Sequence, residues 1–189
     1  MSIIKDDLTD EIAARVRSER EARKWSLAEL AKRSEVSKAM ISKIERAESS
    51  PTTAVLGRLC GAFGLTLSTF LTRAESHTGR LIRASQQPSW NDPETGCVRT
   101  LVSPSAGGPI EIVAVDLPAG AEVLFPASIY KVFHQLVLVL SGQLSLTEGE
   151  SKHLLDVGDC LELGPPSHCT FLNNTEAPCR YLVAASRRE

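Results

Sequence analysis

Apolar positions recur along this chain with two different periods, and the change from one to the other divides it. Over residues 1–72 they return every three to four positions, the spacing of a helix face. Thr9 is placed to cap a first helix with Asp10 and Glu11 in its first turn, and Ile12 and Val16 stand one turn apart on its inner side. Glu19 falls where that apolar face should continue. Ser26-x-x-Glu29 reads as a capping box for a second helix, with Leu27, Leu30 and Ala31 facing inward. Ser37 caps a third, anchored by Ile41 and Ile44. Ser50-Pro51 opens a fourth, with proline at its first position; Leu56, Leu59 and Phe63 line it and Gly64 stops it. Leu67, Phe70 and Leu71 predict a short fifth helix.

Residues 73–97 are polar and punctuated by Gly and Pro, which predicts a linker with one early strand near Leu81–Ile82. From Val98 the apolar runs shorten to four to eight residues: VRTLVS, IEIVAVDL, AEVLF, QLVLVL, QLSLTE, KHLLD, CLEL, CTFL and RYLVAA. Turn signals separate them, among them Ser141-Gly142, Gly158-Asp159, Gly164-Pro165-Pro166 and Asn173-Asn174. Such a series predicts an antiparallel sandwich or barrel. The expected division is therefore a helical domain over 1–72, a linker over 73–97 and an all-β domain over 98–189.

Composition narrows the picture. The 189 residues are 42% hydrophobic and 23% charged, as in an ordinary folded protein. No run approaches the roughly 20 apolar residues of a membrane span, and acids stand near the N-terminus where a signal peptide needs an apolar stretch; a cytoplasmic protein is expected. The five cysteines are odd in number and include no C-x-x-C pair, which favours small core residues over a disulfide or zinc framework. Net charge is −2, but residues 1–72 hold 12 Lys/Arg against 10 Asp/Glu, while the remainder holds 9 against 13. Any binding to nucleic acid must come from placed charges in the first part, and the acidic second part should stay away from it.

The two short capped helices over Leu27–Ser34 and Lys38–Arg46 have the layout of a helix-turn-helix, the second helix being offered to a DNA major groove. Burying Ile41 and Ile44 leaves Ser37, Lys38, Ala39, Met40, Ser42 and Lys43 on or near the outer side, where Lys and Ser can donate to base edges and Ala39 allows close approach. Lys32, Arg33 and Arg46 are expected at phosphates, as are Ser49 and Ser50 in the following loop, and Ser26 is expected among the DNA-binding residues.

Residues 12–71 resemble the XRE/Cro (lambda-repressor-like) helix-turn-helix family. The likeness is carried by Ser26-Leu27-Ala28-Glu29-Leu30-Ala31, Val36-Ser37-Lys38, Ile44-Glu45-Arg46, Glu48-Ser49-Ser50-Pro51-Thr52 and Leu67-Ser68. It implies a five-helix DNA-binding domain working as a dimer on double-stranded DNA. Two positions depart from the family: Glu35 stands in the turn where glycine is usual, at an expected cost of about 1 kcal/mol, and Glu19 replaces an apolar residue.

Residues 105–185 resemble a cupin, the jelly-roll (double-stranded β-helix) barrel. Pro118-Ala119-Gly120 and Gln135 through Gly142 form its first half-motif, and Gly158-Asp159, Gly164-Pro165-Pro166 and His168 through Asn173 its second. The combination is similar to a recurrent class of bacterial regulators in which the barrel senses a small molecule, and by that analogy an amino acid, a polyamine or a sulfur compound is the expected effector. The family's metal ligands are replaced: its histidine pair falls near Ser128 and Tyr130, its glutamate at Gln135 and its last histidine at Cys169. Strand alternation puts His134 and His168 on the opposite face from Gln135 and Cys169. A metal-free pocket is the preferred reading, over a zinc site using Cys169 with a histidine from a shifted register, or redox sensing by Cys169.

The resulting expectation is a transcription regulator, acting as a repressor, with no catalytic residue, no metal and no cofactor. Its effector pocket is expected at Phe125, Tyr130, Gln135, Val137, Cys169 and Phe171, and its partners are DNA, a small-molecule effector and a second copy of itself. The competing expectations are a cupin metalloenzyme carrying a DNA-binding domain and an antitoxin-like DNA-binding protein.

Overall fold

Ile12, Val16, Leu30, Ile41, Ile44, Leu56 and Leu59 are all at most 3% exposed and form one apolar cluster, around which the helices gather. The computed structural model describes residues 3–67, 70, 80–104 and 109–187. Helix α1 spans Ile3–Ala22, α2 Leu27–Ser34, α3 Lys38–Glu45 and α4 Thr53–Phe63. Thr9 lies inside α1 rather than capping it, because nothing in the preceding residues breaks a helix. Helix α4 is capped by Thr52, whose hydroxyl accepts from the Val55 N–H at 3.4 Å, so Pro51 precedes the cap instead of opening the helix. Gly64, in the left-handed region at φ 71°, ends it. Leu67 and Phe70 join the core; Leu71 and residues 73–79 lie outside the described residues.

Glu19, out of place on an apolar face, is taken up by Arg15 at 2.9 Å and Arg23 at 2.6 Å, each one helical turn away. Arg23 continues to the Phe63 carbonyl at 2.7 Å, so the irregularity ties α1 to the end of α4.

The C-terminal domain contains strands β1 Ser89–Asn91, β2 Val98–Leu101, β3 Ile110–Leu117, β4 Glu122–Phe125, β5 Phe133–Ser141, β6 Leu144–Glu148, β7 Ser151–Leu155, β8 Cys160–Glu162, β9 Cys169–Leu172 and β10 Cys179–Arg187. A single-turn helix, α5 (Ala127–Tyr130), joins β4 to β5. The strands form two antiparallel sheets, β1-β2-β3-β10-β5-β8 and β4-β9-β6-β7. Numbering β3 to β10 as one to eight, the orders 1-8-3-6 and 2-7-4-5 are those of a jelly roll. Their inner faces enclose a second core that includes Val115, Leu117, Val137, Leu144, Leu146 and Tyr181, each at most 1% exposed. Gly142 closes the β5–β6 turn at φ 75°, where a side chain would stand 2.8 Å from the Pro178 carbonyl.

The expected linker is largely built into the fold. Leu81 and Ile82 are not a strand; Ala84–Gln86 make a 3-10 turn and β1 extends the larger sheet by pairing with β2. Trp90 of β1 is buried against the helical core, at 2% exposure, while Ser89 and Asn91 beside it are exposed. Three residues are too few for periodicity to announce such a strand.

Candidate functional site

Helix α3 is held by its inner face. Ile41 and Ile44 fill the core, and Glu45, 8% exposed, receives two hydrogen bonds from Arg20 of α1, at 2.7 and 2.9 Å. Arg17 adds a bond to the Glu45 carbonyl at 2.8 Å. Bidentate pairing of this kind fixes orientation as well as position, and it raises the Arg20 pKa through the bond to Glu45. Ser37 caps the helix by accepting from the Met40 N–H at 3.2 Å.

The outer face carries the residues expected to read DNA. Lys38, Ala39, Met40 and Lys43 are exposed; Ser42 is half-buried. Lys32 of α2 is exposed on the preceding helix. The two arginines expected at phosphates are occupied. Arg33 bonds Glu29 at 2.6 Å and lies over the Trp25 ring at 4.5 Å. Arg46 grips Glu48 through bonds of 2.7 and 2.9 Å and also donates to the Ser42 hydroxyl. The bond from Arg46 holds the Glu48 carboxyl below the usual range. Ser26 caps α2 by accepting from the Glu29 N–H at 3.1 Å, but the Glu29 side chain turns to Arg33, so the reciprocal half of the expected capping box is not made. Among the described residues Lys32, Lys38 and Lys43 make no ion pair, and they are the cations this face offers without first breaking an internal contact. Ser49 is half-buried in the loop after α3.

The turn between α2 and α3 shows why glycine is usual there. Glu35 adopts φ 57°, the left-handed region, and its carbonyl accepts from Arg58 at 3.3 Å.

A second feature lies where the two domains meet. A cavity of about 50 Å³ opens between α4 and one end of the barrel. The barrel side supplies Phe125, Tyr130, Gln135 and Phe171, all expected pocket residues, while Val137 and Cys169 do not line it. Val137 is fully buried in the barrel core and Cys169 is 2% exposed. The Cys169 thiol instead meets the Tyr130 hydroxyl and donates to the Ser167 carbonyl at 3.7 Å. The sequence reading missed the other wall: Gly57 and Cys60 of α4, Thr66 and Leu67 after it, Arg99 of β2 and Glu111 of β3. No motif marks Arg99, because β2 lies ahead of the barrel's recognisable turns. Gly57 and Gly61 read as a close-packing pair, and here they let α4 approach the barrel.

The donor set does not suit a metal. Ser128, Tyr130, Gln135 and Cys169 occupy the ligand positions, and His134 and His168 are exposed on the outer side. Among the described residues no group of three or more His, Cys, Asp or Glu side chains could hold a metal ion. Burial raises the Cys169 pKa, which disfavours the thiolate that metal ligation or redox sensing requires. No described helix is long and apolar enough to cross a membrane.

Comparison with known proteins agrees with these two halves. Residues 16–70 match the helix-turn-helix family HTH_3. Over 68 residues the chain is 43% identical to the HTH-type transcriptional regulator SutR of Escherichia coli (strain K12), a match that spans 36% of this chain and 38% of that protein. Among solved structures, an HTH_3 family transcriptional regulator from Vibrio cholerae superposes with a TM-score of 0.81 over 97% of this chain and 98% of that one, at 22% identity, and so shares the two-domain fold. The hydroxypropylphosphonic acid epoxidase of S. wedmorenis is far less alike, with a TM-score of 0.43 at 17% identity over 94% of this chain and 97% of that one, and supports no statement about activity. The N-terminal domain is an XRE-type helix-turn-helix domain, and the C-terminal domain has a jelly-roll fold.

Proposed function

We propose that the chain is a transcription regulator, acting as a repressor, whose cupin domain binds a small effector and joins two copies on one operator. The observation that carries this reading is the exposed Lys38–Lys43 face of α3, clamped from behind by Arg20 and Glu45, on a chain whose other domain places a cavity directly against α4. A helix-turn-helix reads a short half-site, so specificity comes from pairing two of them about one helical turn apart.

The outer face of the larger sheet supports the pairing. Solvent-facing sides of antiparallel sheets are ordinarily polar, yet Leu136 and Leu140 are 44% and 42% exposed there, and Leu138 and Leu182 lie half-exposed in register between them. That strip is bordered by His134, Ser186, Glu162 and the Arg180–Asp116 pair, while on the outer face of the smaller sheet Ser145, Thr147, Lys152 and Thr170 interrupt Leu124 and Leu154. The apolar face suits a second copy. An enzymatic reading finds no support in the donor set of the barrel.

The test is the double substitution Lys38→Ala with Lys43→Ala, assayed on an operator selected from random DNA fragments. Sequence-specific binding should be lost, with the slope of log K against log salt for the residual binding falling by about 4, two lysines from each of two copies, and the melting temperature unchanged. Retained operator affinity in the folded variant would overturn the assignment of α3.

A further inference from the structure

The cavity between the domains contains a guanidinium that makes no ion pair among the described residues. Arg99 is half-buried in its wall, and its Nε is shielded from solvent without a hydrogen-bond partner. The Phe125 ring lies 5.5 Å from the guanidinium carbon. A shielded Nε–H left without an acceptor is costly, and a planar fork of donors is suited to a carboxylate. The Gln135 side-chain amide lines the same cavity, also without a partner among the described residues.

The remaining lining restricts the ligand further. Phe125, Ile129 and Phe171 make much of the wall apolar. A volume of about 50 Å³ leaves space for a compact molecule. Glu111 contributes a carboxylate to the same wall, its Oε2 accepting from Thr66 at 2.7 Å. A carboxylate in the same wall as the cation disfavours a dianion such as phosphate. A polyamine would meet Arg99 with like charge.

The wall opposite the barrel is part of the DNA-binding domain. A side chain at Gly57 would stand 2.8 Å from Ile129 and 3.0 Å from Phe125, so α4 rests on the cavity's own lining. Whatever fills the cavity touches both domains at once and acts on α4, the helix that follows the DNA-reading α3.

We propose that this cavity binds a small organic monocarboxylate, its anionic end on Arg99 and Gln135, and that α4 as part of the wall transmits occupancy to the DNA-binding domain. This rests on the reading of the chain as an effector-responsive regulator. A ligand can shift the domain arrangement only as far as its affinity differs between the two arrangements, and a ligand shared between the domains has that difference built in.

The experiment uses the full chain in calorimetry and thermal shift with propionate, pyruvate and L-alanine, and with propionamide, inorganic phosphate and putrescine as the neutral, dianionic and polyamine counterparts. At least one carboxylate should bind and change operator affinity, and the three counterparts should not. Arg99→Gln should weaken that carboxylate about tenfold or more while still binding operator. Gly57→Ala, whose added methyl meets the movable end of Ile129, should weaken it too and alter operator affinity without ligand. Absence of binding by every carboxylate, or equal binding by Arg99→Gln, overturns the carboxylate assignment. Unaltered operator affinity with and without ligand in Gly57→Ala overturns the role of α4. If putrescine or propionamide instead changed operator affinity equally in wild type and Arg99→Gln, the regulator reading would stand and this proposal would fall. If the wild-type chain bound a carboxylate but no operator, the carboxylate site would stand and the regulator reading would fall.

Discussion

Replacing Asp92 by Asn should destabilise the chain by about 2 kcal/mol at neutral pH, because one oxygen of this carboxylate joins the two domains. Asp92 lies just after β1 and is 2% exposed. Its Oδ2 accepts from the Thr53 N–H, the first residue of α4, at 2.6 Å, and its Oδ1 accepts from Glu94 at 2.8 Å and Thr95 at 3.1 Å. Asn can keep the second pair of bonds through its carbonyl, but its amide then faces the Thr53 N–H as donor against donor. Thr53 is wholly buried, so water does not easily replace the lost acceptor, and an unsatisfied buried N–H costs about 1–3 kcal/mol. Asp92→Ala additionally frees the Glu94 and Thr95 amides, which stand nearer solvent, and should cost about 1 kcal/mol more. Urea denaturation of the three proteins measures both differences. The pH dependence gives a second readout. Burial pushes the Asp92 carboxyl up, but the hydrogen bonds from Thr53, Glu94 and Thr95 outweigh it and hold the pKa below the ordinary value. A carboxyl depressed in the folded state adds stability above its unfolded pKa of about 3.9 and loses it as pH falls through the lower folded value. The gap between wild type and Asp92→Asn should therefore persist from neutral pH to about pH 5 and close in more acidic solution. A variant within about 0.5 kcal/mol of wild type at pH 7 would refute the reasoning, since that is the scatter of an unremarkable surface change.

Two further outcomes follow from other parts of the fold. Glu35→Gly should raise stability by about 1 kcal/mol, since the φ of 57° costs glycine nothing, and an unchanged or lower urea midpoint would show that Glu35 is not strained. Leu138→Asp on the outer face of β5 should convert a dimer to a folded monomer in sedimentation and weaken operator binding, whereas a variant that stays dimeric would move the pairing surface elsewhere.

The two periods of apolar residues are local properties, which is why they can be read without the fold. Ile41 and Ile44 can be buried together only on a helix, and Val113, Val115 and Leu117 only on a strand. The capping serines at 26 and 37 act within a single turn. The same locality let Gln135 and Cys169 be placed by their distances from turn glycines. Alternation along β5 and β9 then assigned the faces of His134 and His168.

What the tertiary structure alone decided is long-range in each case. Arg99 and Gly57 are 42 residues apart and meet only because α4 docks on the barrel end. Asp92 looks like a polar linker residue until Thr53, 39 positions earlier, is placed against it. Arg46 looks like a free phosphate contact until Glu48 folds back onto it. The sequence by itself determined that the first part of this chain has the layout of a helix-turn-helix and the second that of a barrel. The folded chain decided that a cavity lies between them, because α4 and the barrel end supply its two walls.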